Sequence, residues 1–172
     1  MSEESTPLPA APLQRGMDLL SNAAIAVAVA ALLGLVAVQG WQVIARYVIN
    51  DSPSWTEPVT VLLLATAMSL GAAAGVHTNR HFGFFLLADA VGPRLHRLLH
   101  AVSPLVVAAI GAVMAYWGAV LLLDGLDIRI AGAAMPQSIG YLPLSLGGVL
   151  MVVFALYRLF LVLRAPLTDE AR

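Results

Sequence analysis

The sequence predicts an all-α membrane protein: four transmembrane helices, with a short interfacial amphipathic helix between spans two and three. Three observations carry this. First, 60% of the 172 residues are hydrophobic and 11% are charged, whereas soluble domains lie nearer half apolar and a quarter charged. Second, residues 19–45, 58–76 and 101–123 hold no charged side chain, and a fourth apolar window within 130–163 is interrupted only by Arg158. Each suits a hydrocarbon core of about 30 Å, which takes about 20 helical residues. Third, Ala, Leu and Val dominate these stretches without period-2 alternation, which fits helices and not barrel strands. Helices also satisfy every backbone donor and acceptor internally, as lipid requires.

Taken in order, residues 1–17 read as a disordered tail rich in Pro and Ser. It does not read as a secretory leader, because Glu3, Glu4 and Asp18 accompany a single Arg15 and the apolar run behind them is too long. The membrane domain is expected over 18–165, with spans near 19–47, 56–76, 95–123 and 140–163, and 166–172 form a second tail. Arg46 follows span one, where a cation complements a helix C-terminus. Trp41, Tyr47 and Trp55 form an interfacial aromatic belt there. Ser54 and Glu57 have capping-box spacing, Thr56 with Pro58 offers another helix start, and Arg46 is placed to pair with Glu57 across the turn. In span two, Gly71 and Gly75 make a GxxxG face that lets two backbones approach closely. Gly111 with Ala115, and Gly147 with Met151, are weaker versions. Such faces serve either packing within the four helices or docking of a separate subunit.

Residues 77–100 are more than a simple loop. Phe82, Phe84, Phe85, Leu86 and Leu87 lie between basic residues, and Gly92-Pro93 ends one element and starts another. Leu95, Leu98, Leu99 and Val102 then recur at helical spacing. This predicts the interfacial helix, with Arg94 and Arg97 near anionic headgroups. With four spans, both tails and this middle segment share one side. That side holds Arg15, Arg80, Arg94, Arg97, Arg158, Arg164 and Arg172, and the other holds Arg46 and Arg129. The positive-inside rule therefore places both termini in the cytoplasm.

The central third of each span contains no Asp, Glu, Lys, Arg or His. Proton relays and ion-coupled sites are built from such residues, so the chain alone does not read as a pump or exporter. The chain has no cysteine, which removes thiolate nucleophiles and Cys-ligated metals. A net charge of −1 argues against a nucleic-acid partner. Ser69, Ser103, Ser138 and Ser145 have no histidine at bilayer depth to act as a base, so no enzyme is expected. The histidines fall in i,i+4 pairs, His77/His81 and His96/His100. That spacing suits a metal, but neither pair encloses the Glu of a metalloprotease. No cofactor or metal is assigned, and a haem- or metal-binding membrane protein stands as the alternative from another class.

Several motifs fall in a telling order. Arg46-Tyr47 precedes the turn from Asn50 to Trp55, and Glu57 opens span two. A Gly/Ala-rich second span leads to His81, and Met135-Pro136-Gln137-Ser138 continues through Gly140-Tyr141-Leu142-Pro143 to Gly147-Gly148 in the last span. Over 32–163 this resembles the small, DctQ-type membrane subunit of tripartite ATP-independent periplasmic (TRAP) transporters. Two departures stand out: Pro58 follows Glu57 where the family often has a second acid, and Phe84-Phe85 replaces an acidic position after His81. The resemblance implies a non-catalytic permease subunit of the bacterial inner membrane. It would scaffold a large TRAP membrane subunit for sodium-coupled uptake of organic acids, commonly carboxylates, delivered by a periplasmic substrate-binding protein. Membrane lipids complete the expected partners. Arg46, Trp55, Glu57, Gly71, Gly75, Arg94, Arg97, Pro136 and Gln137 are the residues expected to serve interface or anchoring. The small subunit of a tricarboxylate-type tripartite transporter shares the architecture but not these motifs.

Overall fold

The computed structural model describes residues 12–51, 53–78 and 93–164, apart from the side chains of 93–101. Helix α1, Pro12–Ile44, continues through a π-helical turn, Ala45–Ile49; α2 is Thr56–His77, α3 is Pro93–Asp124 and α4 is Ser138–Arg164. All four are long and apolar enough to cross a membrane. The all-α, four-span fold expected from the sequence is therefore present. The interfacial helix expected between spans two and three falls largely on 79–92, outside the described residues; among the described residues, helical backbone runs unbroken from Pro93 to Asp124.

Helix α1 begins ahead of the boundary expected at 18. Pro12 opens it, as proline can, because its fixed φ suits a first turn and its missing N–H would have no partner there. With its π turn, α1 has 38 residues, about 57 Å at the helical rise. This exceeds the hydrocarbon core by far, whereas the 22 residues of α2 make about 33 Å and match it. The π turn ends at Asn50, whose φ of 59° closes the helix as its N–H donates to the Ala45 carbonyl. Asparagine is one of the few residues other than glycine that enter the left-handed region readily.

Among the described residues, the helices contact one another in the order α1–α2–α4–α3, an open row without a substantial α1–α3 contact. Ser21, Ala24, Ala28 and Ala31 form the buried stripe of α1. The core lies between the other three helices, where Ala73 and Val76 of α2, Ala108 of α3, and Met151 and Ala155 of α4 surround the fully buried Phe154.

Lipid tails are as apolar as leucine, so burial alone does not drive helices together, and close backbone approach takes over. The tightest contacts are at α4. A Cβ built on Gly148 would lie 2.5 Å from the Ala115 nitrogen and 2.7 Å from the Gly111 oxygen, and one on Gly147 would lie 2.5 Å from Ser69 Cβ. On α3, Gly118 backs directly onto the Ser145 nitrogen, at 2.8 Å from a notional Cβ. Gly71 differs: nothing lies within 4 Å of an added Cβ there. Of the two roles expected for the Gly71 face, packing within this chain therefore does not apply at Gly71.

Candidate functional site

Polar structure gathers at the two ends of the row. At the end that holds the α1–α2 and α3–α4 loops, residues 125–137 fold back on themselves. Arg129 and Pro136 form an isolated antiparallel bridge, the Gln137 N–H donates to the Ile128 carbonyl at 2.8 Å, and the Ile130 N–H donates to that of Met135 at 3.0 Å. Gly132 sits near the tip with φ 85°, a left-handed conformation that favours glycine. Its carbonyl accepts a hydrogen bond from the Ser54 hydroxyl at 2.9 Å. The loop is thereby pinned to the start of α2.

That contact displaces the capping box expected from Ser54 and Glu57. Trp55 occupies the N-cap position without a side-chain bond, and the Thr56 hydroxyl donates backwards to the Pro53 carbonyl at 2.8 Å. The Ser54 hydroxyl is engaged by another loop, so it does not cap its own helix. Arg46 and Glu57 do not pair among the described residues either, whereas His77 Nε2 approaches Asp18 Oδ1 to 2.7 Å. Ser54→Ala is expected to lose about 1 kcal/mol and to speed amide exchange over 129–136 while leaving the middle of α2 protected. Gly132→Ala should act more strongly, because its Cβ would meet the Ser54 carbonyl oxygen at 2.7 Å. Equal exchange in both variants and the parent would mean that the pin carries no load.

Beside the pin, an open groove of about 500 Å³ runs between α2 and the folded-back loop. Glu57, Val61 and Leu62 form one wall, and Arg129, Gln137 and Tyr141 the other. The Gln137 side-chain amide donates to the Tyr141 hydroxyl at 3.1 Å. The fold thus brings together Glu57 and Gln137, two of the residues singled out in the sequence, with Arg129 and Tyr141, which were not. The i,i+4 spacing of 137 and 141 was a legible signal for the second pairing. Pro136 is half-buried next to Gln137, while Trp55 and Arg46 are exposed outside the groove.

At the opposite end, His77 joins three helices. Its Nε2 lies 2.7 Å from the Asp18 Oδ1 of α1, and its ring centroid is 5.1 Å from that of Phe154 and 6.2 Å from that of Tyr157, both on α4. The histidine considered as half of a metal pair with His81 thus contacts an acid and two aromatic rings; His81 lies outside the described residues. Gly71 and Gly75 line a shallow groove beside this pair, with Ile25 of α1 on its other side. Arg94, Arg97, His96 and His100 occupy the first turns of α3, but their side chains lie outside the described residues.

Four apolar helices in a row, with polar contacts held at their two ends, define a multi-pass membrane subunit that presents surfaces on both flanks. Residues 35–165 match the DctQ component of the tripartite ATP-independent periplasmic transporters. The chain belongs to that family and is a small membrane subunit of a TRAP transporter. No curated protein matches the chain.

Proposed function

We propose that this subunit is the non-catalytic scaffold of a sodium-coupled secondary transporter for organic acids, most simply carboxylates. It holds the large membrane subunit in the bacterial inner membrane, and a periplasmic binding protein delivers the substrate to the complex. The observation that carries this reading is the lack of any Asp, Glu, Lys, Arg or His in the middle of the four apolar helices. Coupled transport needs such groups or broken helices at mid-depth, so the moving site belongs to another chain. The arginine distribution supports cytoplasmic termini, which turns the pinned loop and its groove toward the periplasm.

The open Gly71 face is our choice for the large-subunit contact, since small residues there leave room for a second backbone. Gly71→Leu is expected to leave the chain itself folded and to lower its co-purification with the large subunit at least several-fold. Undiminished recovery of the complex would assign that face to lipid. The function as a whole is tested by uptake in cells that express only the large subunit and the binding protein. Uptake should be lost there and restored by this chain; full uptake without it would refute a required scaffold.

A further inference from the structure

The groove at the loop end has a chemistry that the scaffold reading does not use. Its lining combines the apolar side chains of Val61, Leu62 and Ile139 with one charge of each sign, Glu57 and Arg129. Val61 and Leu62 lie about one turn further along α2 than Glu57, so along the helix the lining passes from charged to apolar. Neither charge makes an ion pair among the described residues. Tyr141 adds a further donor: its hydroxyl accepts from Gln137, which leaves its own proton available. A volume of about 500 Å³ lies within the range of small-molecule sites, about 300–1,000 Å³.

We propose that this groove binds one zwitterionic phospholipid of the ethanolamine type. The lipid phosphate accepts from the Arg129 guanidinium and the Tyr141 hydroxyl, as charge-assisted bonds favour. The primary ammonium donates to Glu57, and an acyl chain lies along Val61, Leu62 and Ile139. The charge pattern selects the class. A glycerol headgroup brings no cation for Glu57, and a choline headgroup brings a cation without an N–H. The occupant bridges α2 and the 125–137 loop, so it reinforces the contact made by Ser54 and Gly132. The inference rests on the helices lying in a membrane and is independent of which large subunit the chain serves.

The test uses both the full chain alone and its complex with the large subunit, each stripped of lipid and titrated by native mass spectrometry. Phosphatidylethanolamine, phosphatidylcholine and phosphatidylglycerol are the probes. One ethanolamine lipid should be retained in preference to the other two, on the isolated chain as well as on the complex. Arg129→Ala and Glu57→Gln should each weaken that binding about tenfold, the loss expected of one charge-assisted hydrogen bond. Glu57→Lys should turn the preference toward phosphatidylglycerol. The Gln variant removes a charge and little else, so it serves even if the others fold poorly. Equal binding of the choline lipid would overturn the proposal. So would a photo-crosslinker at position 61 that captures a polypeptide in the complex in place of lipid. Failure of the chain to find a large subunit would leave the isolated-chain result standing, which separates this inference from the scaffold reading.

Discussion

Replacing Gly148 with alanine is expected to destabilise the chain by about 3 kcal/mol or more, and replacing it with leucine to prevent recovery of the folded chain. Overpacking a well-filled interior usually costs about 1–3 kcal/mol, since side chains and backbone can shift to absorb it. Here the obstruction is backbone. The added Cβ would stand 2.5 Å from the Ala115 nitrogen, 2.7 Å from the Gly111 oxygen and 3.0 Å from the Ala115 Cα. Relief requires α3 and α4 to move apart along their whole seam, which also separates Gly118 from Ser145. The control is Gly40→Ala in α1, where nothing lies within 4 Å. Helix propensity alone favours alanine there by about 1 kcal/mol, so the two substitutions should have opposite signs. Thermal unfolding in one detergent measures both. A Gly148→Ala protein as stable as its parent would contradict the close approach of α3 and α4.

Removal of the His77 ring should have the next largest effect. His77→Ala loses a hydrogen bond to Asp18 and two aromatic contacts on α4. The hydrogen bond to the half-exposed Asp18 is worth about 1 kcal/mol, and aromatic contacts add about 0.5–1.5 kcal/mol each. A total of about 2–4 kcal/mol corresponds to a fall of roughly 4–16 °C in Tm for a domain of this size. His77→Phe keeps the ring and should recover the larger share. Asp18→Asn keeps an acceptor and should cost less than either. Because α1 touches the row mainly through α2, the damage should appear as loosened α1, read as new protease sensitivity after Arg15. Unchanged Tm in His77→Ala would show that α1 is held by its alanine stripe alone.

The spans were legible because membrane insertion sums over residues. A stretch such as 101–123 needs no knowledge of its neighbours to declare itself, and the arginines on either side follow the same additive logic. The GxxxG pattern was legible too, but its partner was not. Spacing marks a surface on which a backbone could rest, and the crossing point of two helices decides whether one does. Hence Gly71 is open, while the weaker pair Gly111 and Ala115 receives Gly148 of α4, which itself lies outside any GxxxG motif. The ends of the helices carried a further signal. Asp18 and His77 each stand at the edge of a charge-free stretch, which puts them at one depth on the same side. The i,i+4 pairing of histidines drew attention along the chain and away from this partner across it.

By itself, then, the sequence determined that the chain makes four apolar helices, along with the share of its arginines at each end and the absence of acids, arginines and histidines at their centres. The physical reason is that transfer into lipid depends on local composition. Only the tertiary structure decided the row α1–α2–α4–α3, the glycines at its seams and the loop contact between Ser54 and Gly132, residues 78 apart in the chain. It also brought Glu57 and Arg129 together in the groove beside that contact. These depend on where separate helices cross, and a crossing is a property of two surfaces, which no single stretch of sequence contains.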